Sequence, residues 1–192
     1  VLKERKCRTV DFEKGFRVFF DILAPENRLI VCGAGHIAIP LVRFAQELGF
    51  KVSVIDDRDD FANPDRFPNC DIITEEFSIA LRDFPMNTST YVVVITRGHE
   101  HDTDCLIEVL KKDTAYVGLI GSRRRVRFVL EMLKKMGISN RRLKEVFTPI
   151  GIPVGAETPE EIALCIAAEL VCVHRKGPHQ ARQLRTAVGV DL

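Results

Sequence analysis

RLIVCGAGHIAIPLVRFAQELGFKVSVID, residues 28–56, carries three successive patterns whose order decides the fold. RLIVC (28–32) is a short, nearly continuous apolar run of the kind a strand buried on both faces requires. Gly33-Ala34-Gly35 then breaks it with a tight turn. From His36 to Leu48 the apolar residues Ile37, Leu41, Phe44, Ala45 and Leu48 recur at helical spacing. KVSVI (51–55) is a second apolar run of strand length. Strand, glycine turn, amphipathic helix and strand together predict a βαβ unit.

The same alternation continues along the chain. DIIT (71–74) reads as a short third strand after the proline-punctuated segment FANPDRFPNC, and a short helix follows around Ser78–Phe84. YVVVIT (91–96) is the fourth strand, followed by a helix over Asp102–Lys112 with Cys105, Leu106, Val109 and Leu110 inward. YVGLI (116–120) is the fifth strand. A helix from about Ser122 to Met136 then places Val126, Val129, Leu130 and Leu133 on one side. Apolar strands alternating with amphipathic helices predict an α/β fold: a Rossmann-like, doubly wound parallel sheet covered on both faces.

Beyond the fifth strand the pattern predicts a basic helix over about Asn140–Val146, the loop TPIGIPVGAE, and a last helix opened by Thr158-Pro159-Glu160-Glu161. Thr158 is suited to N-cap that helix, Pro159 to its first position, and Glu161 to complete a capping box. The interior, IALCIAAELVCV, is apolar on most sides and is expected to be core or the interface of a homodimer. At the other end, Cys7–Phe12 and Phe16–Leu23 flank Glu13-Lys14-Gly15 as a hairpin or arm. The expected organisation is an arm over 1–27, a Rossmann-like domain over 28–178 and a polar, mobile tail over 179–192.

Within the βαβ unit, Gly33-Ala34-Gly35-His36-Ile37-Ala38 reads GxGxxA. Gly33 permits the turn, Gly35 lets backbone approach a pyrophosphate, and Ala38 allows close helix–strand packing. Asp56 closes the second strand 21 residues after Gly35, where a carboxylate can grip a ribose hydroxyl pair. That carboxylate disfavours a 2′-phosphate and so favours NAD over NADP, while Arg58 beside it pulls the other way.

In the usual strand order 3-2-1-4-5, strands one and four meet at the switch point, and ligands bind beyond their carboxyl ends. TRGHEHDTD (96–104) leaves strand four there. His36, His99 and His101 are therefore expected to converge on one ligand, with Thr96 and Gly98 beside them. A direct ligand or catalytic contact, for which His99 and His101 are the candidates, stands ahead of a structural loop. A metal held by His99, His101 and Asp102 is the minor reading. Gly121-Ser122-Arg123 opens the helix after strand five. Ser122 is a natural N-cap, and one arginine of Arg123–Arg125 is expected to reach the crevice.

The totals narrow the function classes. A net charge of +1 gives no bulk attraction to nucleic acid or an anionic membrane, and no apolar run approaches the ~20 residues of a membrane span. The six cysteines show neither CxxC nor zinc spacing, which fits a reduced, cytoplasmic setting. Charge is nevertheless segregated. Arg123 to Lys144 holds nine Lys or Arg against Glu131 alone, and Asp56 to Asp65 holds five aspartates against Arg58. An anionic ligand or acidic partner at one face fits that segregation, although solvated helix faces account for at least half of those charges.

GAGHIAIPLVRFAQELGFKVSVIDDRDDFANPDRFP, VVVITRGHEHD, YVGLIGSRRR and PIGIPVGAETPEEIALCIAAEL together resemble the xanthine dehydrogenase accessory protein family, XdhC/CoxI, over about residues 28–176. The resemblance implies the C-terminal Rossmann domain of a chaperone for the molybdenum cofactor. It implies binding of the molybdopterin cofactor, help in its sulfuration and insertion, a molybdenum hydroxylase client and a cofactor sulfurase as partners. It also implies a separate N-terminal domain with a cysteine used in cofactor handling; the arm 1–27 stands in its place, and Cys7 is not assigned that role. The family's pattern sets a histidine nearer the threonine of TRGHEHD than this sequence does.

The expected function is thus maturation of a molybdenum hydroxylase, with Gly33, Gly35 and Ser122 holding phosphate and Asp56 a ribose where a nucleotide is present. An NAD(P)-dependent oxidoreductase with His99 or His101 as proton donor, and a nucleotide-sensing module, are the alternatives. The absence of a separate substrate domain after strand five counts against the oxidoreductase.

Overall fold

The structure is a computed structural model describing residues 7–12, 15–21 and 25–187. A six-stranded, wholly parallel sheet runs through its centre. Its first five members are β3 (Arg28–Cys32), β4 (Lys51–Ile55), β5 (Asp71–Ile73), β6 (Thr90–Val94) and β7 (Tyr116–Leu119). These are the five expected strands, in the 3-2-1-4-5 order. A separate antiparallel hairpin pairs β1 (Arg8–Phe12) with β2 (Phe16–Phe20). The Glu13-Lys14 link between them lies outside the described residues.

Side chains alternate across the sheet and so divide the core in two. Leu29, Val31, Val52, Val54, Tyr91 and Val93 face α1 (Ala38–Glu47) and α6 (Pro159–Lys176). Ile30, Cys32, Ile55, Val92, Val94 and Val117 face α2 (Phe77–Asp83), α3 (His99–Val109) and α4 (Arg123–Lys135). Helices on both faces leave the strand ends as the places where polar chemistry can gather.

Three expectations change here. The basic helix expected over Asn140–Val146 is one turn, α5 (Asn140–Leu143), followed by a sixth strand, β8 (Val146–Phe147). Val146 and Phe147 are buried and pair with Val117 and Gly118; two residues are too few to show a strand period. The helix expected from Asp102 begins at His99, which moves both histidines of the loop into its first turn. The stretch 179–192, expected to be a mobile tail, largely belongs to α7 (Pro178–Ala187), anchored by buried Ala181 and Arg185; residues 188–192 lie outside the described residues.

The N-terminus of α6 has the expected capping box. Glu161 donates its amide to Thr158 Oγ1 at 3.2 Å and its carboxylate accepts the Thr158 amide at 3.1 Å. Its apolar interior is core against α1 and α7, and it conceals one charge. Glu169 is fully buried, accepting from the Tyr116 hydroxyl at 2.5 Å and the Gly151 amide at 3.1 Å, with Arg185 of α7 3.5 Å away. Burial pushes the Glu169 carboxyl up, while Tyr116 and Arg185 pull it back. No helix among the described residues is long and apolar enough to cross a membrane.

Candidate functional site

Three loops meet beyond the carboxyl ends of β4, β3, β6 and β7. The first leaves β3 at Gly33, whose φ is +109° and whose missing Cβ would stand 2.6 Å from the Ile95 carbonyl oxygen. Only glycine fits there. Gly33 donates its amide to the Ile55 carbonyl at 2.8 Å and Ala34 donates to Asp56 Oδ2 at 2.7 Å, so the turn is fastened to the end of β4. Gly35 differs. Its φ is not positive, and a Cβ added to it would meet nothing within 4 Å. The amides of Gly35, His36 and Ile37, which precede α1, donate to no acceptor among the described residues. Ala38 is fully buried in the close packing of α1 on the sheet.

Asp56 does not present an open carboxylate. It is 1% exposed, and besides the Ala34 amide it accepts from Arg58 Nε at 2.8 Å and Nη2 at 2.9 Å. The Arg58 guanidinium lies 3.7 Å from the centre of the Phe61 ring, and its bond to Asp56 raises its already high pKa. The residue expected to grip a ribose thus holds the glycine turn in place, and Arg58 covers it.

The second loop leaves β6. Thr96 is buried and places its hydroxyl 2.6 Å from Asp102 Oδ1. Asp102 is fully buried at the start of α3, and Oδ2 accepts from Arg125 Nε at 2.7 Å. Arg125 Nη2 also donates to the Thr96 carbonyl at 3.2 Å. Burial pushes the Asp102 carboxyl up against the opposing pull of Thr96 and Arg125. Both oxygens are committed, Oδ1 within the β6 loop and Oδ2 to the arginine that follows the β7 loop. They are not turned toward a metal, and among the described residues no three His, Cys, Asp or Glu side chains stand close enough to hold one.

The histidines do not converge. Two positions apart on a helix, His99 and His101 face different ways. The exposed His99 ring lies edge-on to Phe128 of α4 at 5.1 Å, and the half-buried His101 ring lies 5.4 Å from Phe77 of α2. His36 is exposed ahead of α1.

The third loop follows β7. Ser122 N-caps α4, accepting the Arg125 amide at 3.3 Å, and Gly121 leaves space for the Arg125 stem, 3.3 Å from where its Cβ would lie. A pocket of about 430 Å³ opens there, lined by His99, Ser122, Arg124, Arg125 and Phe128. Arg123 is elsewhere: it borders a groove of about 680 Å³ between α4 and β8, with Leu130, Leu143 and Val146. The arginine that reaches inward is Arg125, three residues inside the helix from its cap. A cavity of about 840 Å³ opens at the opposite, amino-terminal end of β7 between α5 and α7, away from these loops.

One contact ties the segment after β4 to the β6 loop, and the sequence pattern did not reveal it. Arg97 donates through Nη1 to Asp57 Oδ1 at 2.6 Å and through Nη2 to Asp57 Oδ2 at 2.7 Å. Asp57 follows β4 and Arg97 follows β6, so the pair reaches past the intervening β3. The only sequence signal is that opposite charges stand just beyond the two strands flanking the glycine turn.

The sheet order, with a glycine-rich turn where its direction of growth reverses, defines a doubly wound domain of the Rossmann type. Residues 29–170 match the family described as the XdhC Rossmann domain, and the chain belongs to that family. It is 30% identical over 163 residues to the uncharacterized protein YqeB of Escherichia coli (strain K12), covering 84% of this chain and 30% of that protein. It is likewise 30% identical over 166 residues to a probable xanthine dehydrogenase subunit from Bacillus subtilis (strain 168), covering 86% of this chain and 48% of that one. The crystal structure of a xanthine dehydrogenase from Bacillus halodurans is similar with a TM-score of 0.72 at 30% identity, over 86% of this chain and 48% of that chain. This chain therefore spans half or less of the length of each relative.

Proposed function

We propose that this domain holds the phosphate-bearing part of a molybdopterin cofactor, or of a nucleotide attached to it, while a molybdenum hydroxylase of the xanthine dehydrogenase type is matured. The observation that carries the reading is Gly35. Neither its backbone angle nor its neighbours require glycine, yet it stands in open space beside amides with no acceptor among the described residues. Such a position suits a phosphate that must approach backbone closely. The names of the Bacillus relatives support the xanthine dehydrogenase context.

The cofactor is cargo in this reading. The chain's own residues bind and orient it: amides 35–37 donate to phosphate oxygens, and the pocket at Ser122, His99 and Phe128 receives the part of the ligand beyond β6. An NAD(P)-dependent oxidoreductase shares the glycine turn, but the enclosure of Asp56 leaves the ribose without its expected partner.

Native mass spectrometry of the purified protein distinguishes the readings, with a retained pterin expected and retained NAD pointing to the alternative. Gly35→Asp is expected to abolish retention with the fold intact. Retention unchanged in that variant sinks the site.

A further inference from the structure

Three hydrogen-bonded arginine–aspartate pairs surround the crevice, with a looser fourth contact in which Arg97 Nη1 lies 3.9 Å from Asp56 Oδ1, and the three are not equivalent. In two the carboxylate is sealed: Asp56 is 1% exposed under Arg58, and Asp102 is fully buried under Arg125. The third is open, with the side chains of Arg97 and Asp57 42% and 30% exposed. Asp56 and Asp102 also hold backbone or hydroxyl donors of the fold. Arg97 makes no hydrogen bond among the described residues other than the two to Asp57.

Position gives the third pair its meaning. β3 lies between β4 and β6, and its glycine turn emerges between the roots of Asp57 and Arg97. Arg97 follows the strand next to the one that leads into the Gly35–Ile37 amides, and its planar fork is already set for two oxygens. Carboxylate and phosphate present the same two-oxygen edge to such a fork. An exposed pair is also easily broken, because water takes over both partners.

We infer that Arg97 is the anion-binding side chain of the crevice, and that the Asp57 carboxylate is an internal stand-in displaced by a ligand phosphate or pyrophosphate. This rests on the crevice reading proposed above and narrows it. The ligand must be anionic at this end, since a neutral nucleoside offers Arg97 nothing better than Asp57. A dianionic phosphate does, and Asp57 then swings to solvent.

The test is calorimetric titration of the full chain with inorganic pyrophosphate and ADP, and with adenosine as the neutral control. Arg97→Gln is expected to weaken both anions about tenfold or more. Asp57→Asn, which frees the fork, is expected to strengthen them about fivefold, the ordinary worth of an exposed pair. In the double variant that gain should vanish, and adenosine should respond to neither change. Melting curves confirm that each variant is folded.

Equal anion affinity in Arg97→Gln and wild type overturns the exchange. So does an Asp57→Asn gain that persists in the Arg97→Gln background, since the effect is then general repulsion. Loss of binding in Gly35→Asp with no effect of Arg97→Gln refutes the exchange and leaves the crevice standing. The reverse pattern refutes the crevice and leaves Arg97 as an anion contact. No anion binding by either wild type or Asp57→Asn overturns both.

Discussion

Asp56 and Ala34 are joined by a 2.7 Å hydrogen bond from the Ala34 amide to the Asp56 carboxylate, which fixes the turn after β3 to the end of β4. The acid at the end of the second strand is thus a buried fastening of the glycine turn, and Arg58 balances its charge. Asp56→Ala removes the acceptor for a buried amide and strands part of Arg58. A loss of about 2 kcal/mol in urea unfolding is expected. Wild-type stability with lost nucleotide affinity would instead return Asp56 to the role of a ribose ligand.

Gly33 and Gly35 are expected to respond oppositely to the same change. At Gly33 a methyl group collides with the Ile95 carbonyl at a backbone angle alanine resists, so Gly33→Ala should cost roughly 2–4 kcal/mol. At Gly35 the methyl meets nothing, so Gly35→Ala should change stability by no more than about 0.5 kcal/mol while weakening pyrophosphate binding. Paired melting and titration measurements check both halves. Comparable destabilisation by the two variants would remove the reason for assigning Gly35 to a ligand.

The sheet is legible in the sequence because buried parallel strands are continuous apolar runs and their helices carry a 3.6-residue period, so β3 to β7 and their order can be read directly. Val146-Phe147 lacks the length to show any period. Pro178–Ala187 reads as polar because its anchor includes an arginine, Arg185, whose partner Glu169 is hidden in the apolar interior of α6. At the site, glycine spacing reveals the turn because the positive φ at Gly33 and the close approach of the Ile95 carbonyl both demand glycine there. The pairings Asp56–Arg58, Asp102–Arg125 and Asp57–Arg97 are not legible, since which arginine meets which carboxylate is decided by packing between loops. The polar run points instead to His99 and His101, whose rings the first turn of α3 sends to different neighbours.

Arg125→Met leaves the Asp102 carboxylate buried with only Thr96 as partner. Removal of one member of a buried pair costs about 3–5 kcal/mol. Because the Asp102 carboxyl is already pushed up by burial, the variant should take up a proton there and recover part of that loss as pH falls. Adding Asp102→Asn to Arg125→Met should restore part of the stability at neutral pH. Urea unfolding of the two variants at neutral and mildly acidic pH checks this; equal stability throughout would mean that Asp102 is not confined as described.

Acid should open the Arg97–Asp57 contact through a defined window. The Arg97 fork holds the Asp57 carboxyl at about 2, below its ordinary 3.8. In the unfolded chain the carboxyl returns to its ordinary value, so as pH falls the unfolded state binds the proton first. The contact therefore contributes its full stability above about 3.8 and loses it progressively toward about 2. Exposure limits that contribution to ~1 kcal/mol at most. Wild type should thus exceed Asp57→Asn by a small, constant margin from neutral pH down to about 4, and the margin should close below it. Added salt should shrink it at every pH. A margin that persists near pH 2, measured by urea unfolding of both proteins, would show that Arg97 does not hold the ionised carboxylate.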